Sequence, residues 1–251
     1  MVEYPETTMK KATIIALAFT ALFFVSCKEE EATPKVIYDN TKTEVKQQPK
    51  KDSAQILVAD LPVHMEGTKY LIHPVGGARI DDGRYSSSSY RSGRSDSDVS
   101  YAISNYNSFE ITGYFENLKF QHVDSTALHP LTDKKIQIQT ATYLKTVFDK
   151  IKKQFLIYTL TDADTNKDGK VDSNDIKSLY ISDISGAGFR KLSEDVQEVV
   201  DWNVIEELNR VYFRTIEDIN KNGEFDKNDK VHYHYLDLLK PETTVTYEPV
   251  N

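Results

Sequence analysis

The sequence predicts an all-β fold of antiparallel, blade-like repeats with acidic loops at the hairpin tips. Three observations lead there. Tyr (15) and Phe (11) outnumber Gly (10), and aromatic residues suit a pleated, half-buried surface. Apolar and polar residues alternate at period two, so that Val211 and Phe213 face one way and Tyr212 and Arg214 the other. A unit of strand, acidic loop, strand, turn and Leu-Thr/Ser returns at fixed spacing. The 251 residues are 39% hydrophobic and 28% charged, enough for one medium domain plus tails. A net charge of −8 offers no basic field, which argues against nucleic acid as a partner.

From the amino terminus, Lys10-Lys11 precede the small-or-apolar run ATIIALAFTALFFVS, which ends at Cys27. That pattern reads as a signal peptide over 1–26, too short for a comfortable transmembrane helix, with Met9 as the natural start. FVSC resembles the lipobox of bacterial lipoproteins, which implies a lipidated Cys27 and a bilayer partner. KEEE after it resembles the acidic export signal of Bacteroidota-type surface lipoproteins. The expected location is the outer membrane or cell surface, facing the periplasm or the exterior. Residues 27–54 are polar, lack apolar periodicity and are expected to form a lipid-anchored flexible tether.

The body, 55–251, divides into three expected repeats, about 60–131, 132–192 and 193–251. Leu118 to Leu131 and Leu179 to Leu192 are both 13 residues apart; Asp164 to Leu179 and Asp218 to Tyr233 are both 15. FLIYTLT and RVYFRTIE lead into the two acidic loops, and SLYISDI and HYHYLDL leave them. In the weaker first copy, 68–77 is the incoming strand and 113–124 the outgoing one. The Ser/Arg-rich tract 84–98 replaces the acidic loop and is expected to be a mobile loop. Segment 139–153 is expected as strand, turn and Lys-rich hairpin, with a short helix through Leu144, Val147, Phe148 and Ile151 as the alternative.

The run EVVDWNVIEELNRVYFRTIEDIN, followed by VHYHYLDL, resembles blades of TolB-type β-propellers. Asp201, Trp202, 211–213, Asp237 and Leu238 occupy the blade positions, and Asp183, Ile184, Leu192 and Ser193 carry the later part of the preceding blade. The resemblance implies a partial or miniature β-propeller, because two or three blades do not close a ring of the usual size. The alternative is a ring completed by self-association.

The acidic loops carry the chemistry. In DTNKDGKVDSND, Asp164, Asn166 and Asp168 stand at positions 1, 3 and 5, Gly169 at 6, Lys170 at 7, Asp172 at 9 and Asp175 at 12. In DINKNGEFDKND, Asp218, Asn220, Asn222, Gly223, Glu224, Asp226 and Asp229 take the same places. Positions 1, 3, 5 and 12 supply side-chain oxygen, position 7 a backbone carbonyl and position 9 an oxygen acting through water. Two like charges about 4 Å apart repel by about 4 kcal/mol at an effective dielectric near 20, so convergent carboxylates call for a cation. Oxygen-only donors select calcium, one or two ions, with magnesium admitted by the short Asp at position 12; zinc would want Cys or His. The second loop has a neutral Asn222 at position 5 and a lower expected affinity. The loops resemble those of EF-hands and dockerins. Their strand-like flanks instead resemble the calcium hairpins of integrin α-subunit propellers, which implies a rigidified hairpin rather than a helix-opening sensor.

No nucleophile elbow, HExxH or phosphate-cradling glycine loop is present, and the expected catalytic set is none. His232 and His234 share a strand face, which would suit a metal pair, but with no third ligand they read as ordinary surface histidines, and Trp202 reads as a blade-core residue. The expectation is a non-catalytic, calcium-binding envelope lipoprotein that binds a glycan or protein partner. The alternative is a sensory or peptidase-associated propeller component. The 22 residues after Asp229 (251 − 229) are too few for a hydrolase domain, which favours the first.

Overall fold

A computed structural model describes residues 34–38, 55–81, 84–87 and 103–250. The expected signal peptide, Cys27, most of the tether and residues 88–98 of the Ser/Arg tract lie outside the described residues. Among the described residues no helix is long and apolar enough to cross a membrane.

The described strands form three antiparallel sheets. The first contains β1 (Gln55–Ala59), β2 (Val63–His64), β3 (Tyr70–Asp81), β4 (Arg84–Ser87), β7 (Asn117–His122) and β8 (His129–Pro130). The second contains β5 (Ser104–Asn107), β6 (Glu110–Phe115), β9 (Gln137–Tyr143), β10 (Phe155–Thr161), β11 (Lys177–Asp183) and β12 (Arg190–Lys191), in the order β12-β11-β10-β9-β6-β5. The third is a four-stranded meander, β13 (Gln197–Ile205), β14 (Arg210–Glu217), β15 (Lys230–Asp237) and β16 (Thr244–Tyr247). The fold is all-β and blade-like, as the period-two pattern predicts.

Two apolar cores flank the second sheet. Leu156, Tyr158 and Leu160 of β10 enter one core with Ile72, Phe115, Leu118 and Phe120. Ile157 enters the other with Leu179, Val199, Val211, Phe213 and Leu236. Strand alternation sends successive side chains to opposite faces, so FLIYTLT is apolar almost throughout because both of its faces are covered. The third sheet has one buried face: Val211, Phe213, His234 and Leu236 point inward, and Arg214 is exposed on the other side.

Three expectations need correction. Segment 139–153 is β9 followed by a two-turn helix, α1 (Lys145–Ile151), not a strand hairpin. Leu144, Val147 and Ile151 lie along one stripe and meet the second core, while Phe148 packs on the first. Lys145 pairs with Asp149 at 2.6 Å, and Lys152 closes the helix in a left-handed cap with φ 61°. Burial of that stripe outweighs the β-propensity of Thr146, Val147 and Phe148.

The expected outgoing strand 113–124 is divided at Glu116. β7 pairs with β3 as predicted, but β6 pairs with β9 in the second sheet. A register shift between Thr112 and Phe115 turns the strand. Gly113 sits at that crossing, where a Cβ would approach the Ile103 carbonyl oxygen at 2.7 Å. In the Ser/Arg tract, Arg84–Ser87 is ordered as β4 against β3.

His234 is not a surface residue. It is 4% exposed, stacks on Phe213 at 4.8 Å and meets the hydroxyls of Thr215 and Thr246 at 3.1 and 3.2 Å. Burial, reinforced by His232 alongside, holds its pKa below the usual histidine value. Above about pH 6.5 it is neutral whether folded or unfolded. As pH falls through that value the unfolded chain takes up a proton that the folded chain refuses, so stability is lost. The melting temperature of His234→Gln is therefore expected to fall less than that of wild type between about pH 7.5 and 5.5. An equal fall in both would reject this account.

Candidate metal loops and the segment between them

Both acidic loops sit at hairpin tips. The first joins β10 to β11 beyond the Thr161–Lys177 pair, and the second joins β14 to β15 beyond Glu217–Lys230. Asp162 stiffens the entry to the first. It accepts hydrogen bonds from Ser178 and Tyr180 at 3.1 and 2.7 Å and pairs with Lys191 at 2.9 Å. Burial alone would raise its pKa, but the hydrogen bonds from Tyr180 and Lys191 outweigh burial and hold it below the usual carboxylate value.

The two loops are folded alike, residue for residue. At position 1, Asp164 accepts the N–H groups of Asp168 and Gly169 at 3.1 and 2.8 Å, and Asp218 those of Asn222 and Gly223 at 3.2 and 2.7 Å. At position 3, Asn166 and Asn220 share those position-5 donors, Asp168 N–H at 3.0 Å and Asn222 N–H at 2.8 Å. At position 5, Asp168 and Asn222 each accept the following-but-one N–H at 2.8 Å. At position 9, Asp172 and Asp226 accept from Asn174 and Asn228 at 2.9 and 2.7 Å. At position 12, Asp175 and Asp229 accept from Asp172 and Asp226 at 3.0 and 2.8 Å and reach back to the N–H of Thr165 and Ile219 at 2.7 and 3.2 Å. The turn repeats as well, with positive φ at Lys167 and Gly169 (59° and 88°) and at Lys221 and Gly223 (57° and 86°). Glycine at position 6 meets the left-handed requirement without a Cβ penalty.

Backbone N–H groups thus fix the direction of each side-chain oxygen. Asp175 and Asp218 are nearly inaccessible, at 1% and 3% exposure. The donors are mixed: carboxylates interleave with Asn amide oxygens, and Lys170 and Glu224 stand where a backbone carbonyl is needed. Among the described residues no three or more His, Cys, Asp or Glu side chains gather as a metal-holding group. A cation held here would need amide and carbonyl oxygens as well as carboxylates. As a chemical set, the oxygens fit a hard cation. Neither loop contains histidine, and His232, on β15 beyond the second loop, is engaged by Glu217 at 2.7 Å.

Residues 34–38 lie in the segment expected to be a flexible tether, yet they run between the two loops. Lys35 N–H donates to the Gly223 carbonyl at 2.9 Å, and Ile37 N–H to the Thr165 carbonyl at 2.9 Å. Thr165 Oγ1 returns a hydrogen bond to the Lys35 carbonyl at 2.7 Å. Lys35 Nζ pairs with Glu198 at 3.0 Å, and Val36 is 5% exposed. Burial, together with the nearby Asp218 carboxylate, pushes the Tyr38 pKa up to about 12. Composition hid this contact. Its sole signal is VIY at 36–38, an apolar, β-prone run within a polar stretch.

The outer face of the third sheet is a further feature that sequence reading passed over. Asp201, Asn203, Tyr212, Arg214, Tyr233 and Tyr247 line a groove of about 360 Å³ there. Arg214 pairs with Asp201, and Tyr247 stands edge-on to Tyr212 at 5.7 Å. Trp202 lines the same groove while packing on the second core.

No family model matches the chain, and no curated protein matches it. A solved structure described as "putative TolB from Agrobacterium tumefaciens" is similar over 75% of this chain and 80% of that one, at 9% identity and a TM-score of 0.21. An overlap that low carries no argument about this chain. The blade-like description rests on the sheets themselves.

Proposed function

We propose that this chain is a calcium-binding, non-catalytic envelope lipoprotein. In this reading bound calcium stiffens two hairpins of a β-repeat scaffold that receives a glycan or protein partner. The observation that carries it is the hydrogen-bond frame repeated in two loops that differ at five of twelve positions. Side chains of Asp164, Asn166, Asp168 and Asp175, the Lys170 carbonyl and Asp172 would hold one ion. Asp218, Asn220, Asn222 and Asp229, the Glu224 carbonyl and Asp226 would hold the other. The cation would supply positive charge beside the loop carboxylates; the chain supplies oxygen atoms already oriented by backbone N–H groups. Attachment to a bilayer through a lipidated Cys27, display at the outer membrane or cell surface, and self-association of the partial ring belong to the same proposal.

At about 1 mM calcium and a Kd of order 10⁻⁴ M, linkage stabilises the folded chain by about 1.4 kcal/mol per site. For a body of this size that is a rise in melting temperature of about 3–6 °C per site over chelator. An unchanged melting temperature, with no heat of calcium uptake in calorimetry, would reject the reading.

A further inference from the structure

We propose that residues 34–38 are a clasp that joins the two loops into one binding unit, and that cation binding closes it. The inference rests on the calcium reading above and adds a coupling between the sites that no property of either loop requires. The two donors that dock the clasp are only two residues apart. Lys35 N–H binds the second loop and Ile37 N–H binds the first. Their acceptors belong to the metal frames themselves. Gly223 is the position-6 glycine, whose own N–H bonds Asp218. Thr165 lies next to Asp164, and its N–H and hydroxyl both reach Asp175.

The clasp also touches the second loop through Tyr38, whose ring centre lies 5.8 Å from the Lys221 ammonium. The fit is close, since a Cβ on Gly223 would come within 2.7 Å of Pro34 and 2.8 Å of the Val36 carbonyl oxygen. A cation that sets the carbonyls of Thr165 and Gly223 therefore sets both acceptors of one short segment. Ordering the segment on one loop presents its other donor to the second loop, which lowers the entropy cost of ordering there. Binding at the two loops is consequently cooperative, and the chain is held at 34–38.

The test is hydrogen exchange resolved at single amides, on the full chain, with calorimetry in parallel. Calcium is expected to slow exchange at both Lys35 and Ile37 by at least about tenfold over chelator. With Asp164→Ala in saturating calcium, exchange is expected to speed up at Lys35 as well as at Ile37, although the Lys35 N–H docks on the intact loop. Speeding at Ile37 alone would show two independent contacts and overturn the clasp. Calcium uptake in calorimetry with unchanged exchange at both amides would overturn the clasp and leave the calcium reading standing. No heat of uptake would remove both.

Discussion

Asp175→Ala is expected to destabilise the protein by about 2–4 kcal/mol even in chelator, and in calcium to abolish the heat of the first loop. The reason is that Asp175 does two jobs in the proposed calcium reading. It stands at ligand position 12, and it accepts the N–H groups of Thr165, Asn166 and Asp172 at 2.7, 3.1 and 3.0 Å while 1% exposed. Alanine leaves those donors without their acceptor. Asp168 stands at position 5, is exposed and, among the described residues, accepts the N–H of Lys170 alone. Asp168→Ala should therefore lose the calcium effect and cost less than about 1 kcal/mol in chelator. Chemical denaturation of both variants, with and without calcium, separates the roles. Equal losses in chelator would mean that the frame is not held by Asp175.

Leu156→Ala and Ile157→Ala are each expected to cost about 2–5 kcal/mol, although they are adjacent and point opposite ways. Both side chains are fully buried, Leu156 in the core shared with the first sheet and Ile157 in the core shared with the third. In a hairpin covered on one side, one of the two would be nearly neutral. The third sheet provides that contrast. Val211 is fully buried, whereas Tyr212 is half-buried in the outer groove. Val211→Ala should cost markedly more than Tyr212→Ala. Denaturation midpoints measure all four. A small loss for either Leu156→Ala or Ile157→Ala would contradict a central sheet packed on both faces.

The class of fold was legible because strand alternation is a local property. Val211, Phe213 and Leu236 face inward where the period places them, and both acidic loops occupy hairpin tips. The shared turn of the two loops was legible for the same reason, since the Asp and Asn spacing and the position-6 glycine are set within twelve residues. What failed depended on contacts distant in sequence. Segment 139–153 satisfies a strand by propensity and a helix by stripe, and only the second core decides between them. His234 alternates with two tyrosines as a surface residue would, until Phe213 and Thr246 cover it.

The sequence alone determined a β-rich chain and two equivalent oxygen-rich loops. Each follows from neighbours within a turn or a strand, where backbone geometry leaves few choices. Tertiary structure alone decided that the second sheet is buried on both faces, that β6 and β7 part company, and that Pro34 to Tyr38 bridge the loops. Those outcomes pair residues up to 188 positions apart, as between Lys35 and Gly223 (223 − 35). No local pattern encodes such a pairing, because its free energy arises only when both surfaces are already built.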